Sequence, residues 1–362
     1  MAYIKKILPI LALMMAFACS SNKELLVDFS DPQIVYSGRI GQSADGGAEL
    51  YWSGTSITLN FEGESISAEM KEDKGDNYYN VILDHDSLFI LRPDTLKHFY
   101  TLASKLPKGK HTIEIFKRAE WTRGTTTFYG FHIEGNAEVL PKATPSNRKI
   151  EFYGNSITAG YAVEDTSGKD SPDSTYTNIY KSYATVTARH YNADYRCICR
   201  NGIGITISWF PQIMPEIYDR LNPNDPNSKW DFSLYTPDLV VINLFQNDSW
   251  LVNRPDRTEF KTNFGDKAPE DDYFINAYQQ FVTHIRTHYP NTSIICMLGN
   301  MDATKDGSIW MDYIEKAVSN LNDDKIYKHF VPFKGTDGHP SVKEQEDMAN
   351  SLIDFIDTHI DW

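Results

Sequence analysis

The hydrophobic period of this chain changes once, and that change constrains the fold more than any other feature. From about Leu25 to Leu140, apolar residues come in short alternating or continuous runs: "SITLNF", "SISAEM", "YYNVILD", "SLFIL", "HTIEIFKRA" and "TTFYGFHIEG". Gly, Asp, Asn and Pro separate them, and none keeps helical spacing. Many short strands at regular intervals predict a β-sandwich over 25–140. Segment 141–147, within "VLPKATPSNRK", has prolines and little to bury, and reads as a linker. From 148 to 362, strand-like runs ("KIEFYG", "DYRCICRN", "PDLVVINL", "SIICMLGN", "KIYKHFVPF") alternate with helical ones ("TNIYKSYATVTARHY", "YFINAYQQFVTHIRTHY", "IWMDYIEKAVSNL", "SVKEQEDMANSLIDFIDTHI"). That alternation requires a parallel sheet covered on both faces. In such sheets reactive groups gather at the carboxyl ends of the strands. Two domains also suit a length of 362 residues.

The opening "MAYIKKILPILALMMAFACSSNKE" belongs to neither domain. Lys5 and Lys6 precede an apolar run, Ile7 to Ala18, too short to span a bilayer and suited to a signal peptide. With Cys19 directly after it, the segment resembles a bacterial lipoprotein signal. That resemblance implies removal of 1–18, lipidation of Cys19, a tether over 19–24, and export to the outer membrane on its periplasmic or cell-surface face. A net charge of −14 argues against nucleic acid and anionic lipid as partners. Membrane contact is thus expected only through the lipid anchor, and the protein is expected to be a monomer. Cys197 and Cys199 of "YRCICR" are placed on opposite faces of a strand, unable to bridge each other; with Cys296 they read as small core residues.

Four polar signals sit at predicted strand ends. In "EFYGNSITAG" a strand runs into a Gly-Asn-Ser turn, with Ser156 at its apex. A serine hydroxyl needs a base to become a nucleophile, and a sharp turn holds it clear of its own backbone; a helix-capping serine is the plain alternative. "RNGIGITIS" has glycines, Gly202 and Gly204, whose N–H groups could approach a ligand, or it is simply a flexible loop. In "VINLFQNDSW", Asn247 could offer an amide to a developing oxyanion while Asp248 braces the loop; a turn motif would use the same residues. "GTDGHPSV" brings His339 just before the last helix, as a base for Ser156 or as an ordinary loop residue.

Taken in order, Ser, Gly, Asn and His at four strand ends resemble the SGNH, or GDSL-type, hydrolase superfamily over about 148–362. The stretch "HTIEIFKRAEWTRGTTTFYGFHIEG" is similar to the end of the jelly-roll domain that precedes the hydrolase in carbohydrate esterase family 2. The resemblance implies an α/β fold: a flavodoxin-like three-layer αβα domain behind an all-β jelly roll. It implies Ser156 as nucleophile and His339 as general acid/base. The oxyanion hole would be the Ser156 N–H, the Gly202 N–H (Gly204 as alternate) and the Asn247 amide. His339 would be oriented by Asp337 or, preferably, by a backbone carbonyl in a Ser-His dyad. Three positions depart from the family pattern: Asn155 replaces aspartate, Phe245 replaces glycine and so predicts a different loop path, and Thr336 replaces the aspartate three residues before the histidine.

The function implied is a secreted serine esterase that removes O-acetyl groups from plant cell-wall polysaccharides, xylan or mannan, through an acetyl-enzyme. Its partner would be an acetylated polysaccharide or oligosaccharide, with Trp250 and Trp209 as candidate sugar-stacking rings. Two other readings stay open: an O-acetyl esterase acting on envelope glycans such as peptidoglycan, and a non-catalytic glycan-binding surface lipoprotein. No cofactor and no metal are expected. "HIRTH", with His284 and His288, lacks the glutamate of a zinc-hydrolase helix, and "DHD" at 84–86 reads as a polar hairpin turn.

Overall fold

The computed structural model describes residues 23–362. The signal segment, Cys19 and most of the 19–24 tether lie outside the described residues. The first domain is two antiparallel sheets of six strands each. One sheet orders Ile40–Gln42, Ala48–Leu50, Thr126–Glu134, Ser65–Glu72 and His98–Ser104, with Leu25–Asp28 also paired to Thr126–Glu134. The other orders Glu138–Val139, Ser56–Glu62, Lys110–Lys117, Tyr79–Leu83 and Ser87–Leu91, with Val35–Ser37 on Ser56–Glu62. The inward residues of both, among them Ile66, Met70, Phe128 and Phe131 from one and Ile57, Phe61, Val81 and Ile113 from the other, share a single core. This is the sandwich that the alternation predicts. His98–Ser104 escapes a pattern search because, as an edge strand, it fully buries only Leu102.

The second domain has a five-stranded parallel sheet, ordered Asp194–Cys199, Lys149–Gly154, Leu239–Asn243, Ser293–Leu298, Ile326–Phe330. The first strand of the domain lies second in the sheet, so the chain leaves it toward opposite sides. In sheets of this kind such a switch point, at the strand's carboxyl end, is where ligands bind. Successive side chains serve opposite faces. Phe152 packs with Tyr183, Met348 and Leu352 of helices Tyr183–His190 and Val342–His359. Its neighbour Tyr153 packs with Tyr278 and Phe281 of helix Asp271–His288 and shares a core with Ile314 of Trp310–Leu321. Cys197 and Cys199 correct the sequence reading: residues two apart in a strand share a face, and both lie in the Phe152 core with Ile198 turned the other way. All three described cysteines are free and buried.

The two domains are joined by buried polar contacts. Arg39, on the sandwich side, reaches Glu151 of the central parallel strand at 3.1 Å, with side chains 1% and 0% exposed. Its guanidinium also donates to the carbonyls of Tyr218 (2.6 Å) and Arg220 (2.9 Å). Glu151 accepts from the hydroxyls of Tyr153 and Tyr289 at 2.7 and 2.8 Å. Trp52 and Trp121 of the sandwich belong to the same hydrophobic cluster as Tyr153 and Ile242 of the sheet. A dry ion pair adds little net stability, but removing one partner leaves the other charge uncompensated. Arg39→Met should therefore cost about 3–5 kcal/mol, read as a lower midpoint in urea unfolding, with both domains still melting in one transition.

Candidate active site

Strand Lys149–Gly154 ends in the turn that begins helix Ser156–Ala159. Asn155 caps this helix, its side-chain oxygen accepting the Ile157 N–H at 3.0 Å. Asparagine thus does the turn-holding that an aspartate would do there. Gly154 is required by close approach rather than by backbone conformation: a Cβ there would stand 1.9 Å from Thr158 Oγ1. The turn presents Ser156, 5% exposed, at the carboxyl end of the strand.

His339 meets it from the loop before helix Val342–His359. Its Nε2 is 2.8 Å from Ser156 Oγ. Its Nδ1 is 2.7 Å from Asp170 Oδ2, and its backbone N–H donates to Asp170 Oδ1, also at 2.7 Å. A carboxylate only accepts, so Nδ1 carries the proton and the Nε2 lone pair faces the serine hydroxyl. Burial alone would raise the Asp170 carboxyl, but the two bonds from His339 outweigh it and hold the group below its ordinary value. Tyr161 sets the edge of its ring against the imidazole, centroids 4.8 Å apart.

This geometry corrects the assignment of the orienting group. Asp337 is exposed, and its backbone carbonyl accepts from Lys334 Nζ at 2.9 Å. Neither its side chain nor a backbone carbonyl holds His339; Asp170, 169 residues upstream, does. The arrangement is a triad, not a dyad. Lys334, whose side chain is 2% exposed, also donates to the Thr336 carbonyl at 3.0 Å, so it ties down the turn that delivers His339.

The other two strand ends surround Ser156. As the first residue of its helix, Ser156 has an N–H without an intrahelical partner, and among the described residues no hydrogen bond occupies the Gly202 N–H. Gly204 is eliminated as the alternate: its N–H donates to Ser208 Oγ at 2.9 Å. Its missing side chain instead lets Asp248 pack close, since a Cβ would lie 2.4 Å from Asp248 Oδ2. The Asp248 carboxylate, fully buried, accepts from the backbone of Ile205 (3.1 Å), Thr206 (2.7 Å) and Ile207 (3.3 Å) and from the Thr206 hydroxyl (2.7 Å). It braces the loop as expected. Asn247 donates one amide proton to the Ile203 carbonyl at 2.8 Å, leaving the second free for a ligand. Trp209 fixes which way that amide points, donating Nε1–H to Asn247 Oδ1 at 3.0 Å. Trp209, expected from the sequence as a sugar-stacking ring, is thus tied to the Asn247 amide.

Phe245, where the family pattern has glycine, has left-handed backbone, with φ 87°, at a cost of about 1–3 kcal/mol. Its fully buried ring, packed on Tyr278 and Trp310 at centroid distances of 4.8 and 5.0 Å, offsets that strain. Trp250 is half-buried, its Nε1–H on Asp302 at 2.9 Å. It lines a cleft of about 200 Å³ together with Asp170, Met301, Phe333 and Gly338. Away from these strand ends, ligand atoms of Glu24, His132 and Glu134 lie within 4.8 Å of one another on the sandwich; a serine–histidine pair has no need of a metal. Asp170 and Tyr161 are the residues that sequence reasoning missed. Asp170 lies in "EDTSGKDSPDS", where periodicity is absent and several carboxylates are equivalent by pattern.

Residues 36–142 match the family described as carbohydrate esterase 2 N-terminal, and residues 152–348 match the GDSL-like lipase/acylhydrolase family. The chain is 34% identical over 348 residues to the cellulase/esterase CelE of Acetivibrio thermocellus, covering 92% of itself and 40% of that longer relative. It is 25% identical over 374 residues to an acetylxylan esterase/glucomannan deacetylase of Cellvibrio japonicus, covering 99% and 100% of the two chains. Among solved structures, a family two carbohydrate esterase from Clostridium thermocellum in complex with cellohexaose aligns with TM-score 0.80 and 31% identity, over 90% of this chain and 98% of that one.

The depressed Asp170 carboxyl contributes stability above its unfolded value of about 3.9, and this is lost as pH falls through the lower folded value. The thermal midpoint of Asp170→Asn should therefore lie below wild type at pH 6, and the gap should close as pH is taken from about 4 downward. Calorimetric scans of both proteins across that range check it.

Proposed function

The chain belongs to carbohydrate esterase family 2, and we propose that it removes O-acetyl groups from plant cell-wall polysaccharides of the xylan or mannan type. The observation that carries the reading is the 2.8 Å contact between Ser156 Oγ and His339 Nε2 with Asp170 behind it. The substrate class rests on the Cellvibrio relative's action on acetylxylan and glucomannan.

In the proposed cycle Ser156 Oγ attacks the acetyl carbonyl while His339 Nε2 takes its proton. Charge develops on the carbonyl oxygen, and the N–H groups of Ser156 and Gly202 and the free amide proton of Asn247 supply donors for it. Asp170 stabilises the imidazolium and holds its orientation. The sugar oxygen then leaves with the proton from His339. Water, deprotonated by the same nitrogen, releases acetate from the acyl-enzyme. Export is part of the proposal: Cys19 as a lipid anchor would put the enzyme where polymeric glycans are met, and Cys19→Ser should move the protein from the membrane fraction to the soluble one.

Hydrolysis of p-nitrophenyl acetate tests the chemistry. Ser156→Ala should lose on the order of 10⁴-fold or more in kcat; equal turnover by wild type and variant ends the esterase reading. Asn247→Ala should fold and lose about 10²- to 10³-fold in kcat. Acetate release from acetylated xylan, acetylated glucomannan and O-acetylated peptidoglycan then ranks the substrates, and preference for the last would replace the plant-polymer assignment.

A further inference from the structure

Asp170 is held against His339 by an irregular segment with few internal ties: the Tyr161 hydroxyl donates to the Asp170 carbonyl at 3.3 Å, and Asp165 accepts the Ser171 N–H at 2.8 Å. Residues 166–169 are exposed, Asp170 itself has left-handed backbone (φ 55°), and non-glycine residues persist there only when their surroundings over-determine them. The remaining surroundings come in large part from the other domain. Between sandwich strands Lys110–Lys117 and Thr126–Glu134, the connecting loop carries Arg118 and Arg123. Arg118, its side chain 1% exposed, pairs with Glu164 and donates to the Thr175 carbonyl at 2.8 Å. Those contacts fix the two ends of the segment. Arg123 acts closer to the aspartate, donating Nη2–H to the carbonyl of Pro172 at 2.8 Å and pairing through Nη1 with Asp76 at 3.1 Å. Asp76 then accepts from the Ser174 hydroxyl at 2.7 Å, so the Arg123–Asp76 pair grips the segment at two points just past Asp170.

Asp76 is in turn held by Glu72. The Glu72 carboxylate accepts from the N–H groups of Lys74 (2.8 Å), Gly75 and Asp76 (3.2 Å) and from the Asn77 amide (2.8 Å). The grip is therefore anchored in the sandwich core. We propose that Arg123, with Asp76, is a positioning residue for catalysis: it holds segment 164–176 so that the Asp170 carboxylate reaches the His339 imidazole. As a contributor to stability the pair counts for little, because Arg123 and Asp76 are 25% and 39% exposed and exposed pairs are weak. Its effect is geometric. Misplacement of a catalytic group by about 1 Å costs on the order of 100-fold in rate. The same sandwich loop also steadies the oxyanion side, since Glu120 accepts the N–H of Asn201, next to Gly202, at 2.6 Å.

The inference rests on the esterase reading for its kinetic test and is independent of it for its spectroscopic one. With p-nitrophenyl acetate, Arg123→Ala is expected to lower kcat about 10- to 100-fold with KM unchanged and a thermal midpoint only about 2–4 °C lower. In an Asp170→Ala background the same substitution should cost less than about twofold, because its target is already gone. An equal loss in both backgrounds, or no loss in either, overturns the proposal. Should Arg123→Ala fail to fold, Arg123→Lys, which keeps the charge but not the planar fork that reaches both Asp76 and Pro172, carries the same background comparison. The second readout is the far-downfield proton resonance of the His339 Nδ1–H bonded to Asp170, assigned by its disappearance in His339→Gln. It should be present in wild type and lost in Arg123→Ala; its persistence unchanged in Arg123→Ala overturns the proposal even if the protein turns over no ester at all.

Discussion

Both ring nitrogens of His339 are engaged, and the rest of the structure is arranged around that fact. An imidazole that hydrogen-bonds an acceptor-only carboxylate at Nδ1 must keep its proton there, and its basic lone pair is then directed from Nε2. Asp170 imposes this state twice, gripping the ring and the backbone N–H of the same residue. The imidazole can neither rotate away nor exchange its tautomer without breaking a charge-assisted bond. Ser156, recessed at the strand end, receives that lone pair at hydrogen-bond distance.

Around this line, the sheet supplies rigidity and the loops supply chemistry. Strand ends fix where Gly154, Cys199 and Asn243 stop, and polar side chains then control the few residues beyond each. Asp248 gathers three consecutive backbone N–H groups from 205–207, which stiffens the segment after Gly202. Its burial raises its carboxyl above the ordinary range in spite of those bonds. Trp209 orients the Asn247 amide, and Phe245 adopts a conformation natural to glycine because its ring is anchored among other aromatics. The site is thus built from local costs, a buried carboxyl and a strained backbone, that neighbouring packing sustains.

Much of this was legible in the sequence because strand ends are legible. Apolar period marks where Lys149–Gly154 and Leu239–Asn243 end, so Ser156 and Asn247 can each be placed just past a strand end from the sequence, whereas the pairing of those two strands comes from the sheet. His339 was legible as the polar residue before an amphipathic helix. The orienting acid was not. Two residues before His339, Asp337 is the near choice on spacing, whereas Asp170 arrives through a turn-rich segment whose path is set by contacts with a different domain. Non-local hydrogen bonds leave no periodic trace. Phe245 is sustained by a related kind of contact: packing of its ring on Tyr278 and Trp310 holds a left-handed backbone that its size alone would disfavour. Edge strand His98–Ser104 was lost because one-sided burial of a single leucine does not alternate.

The dry Arg39–Glu151 pair limits how freely the two halves can be separated. Catalytic modules are commonly exchanged between proteins as beads on a string, each able to function beside new neighbours. Here the seam between the halves is sealed by opposite charges that water never reaches. A recombination event that delivered the parallel-sheet half to a new partner would strand an acid in its interior. The parallel-sheet half should therefore be far less stable without its sandwich than a free-standing module would be.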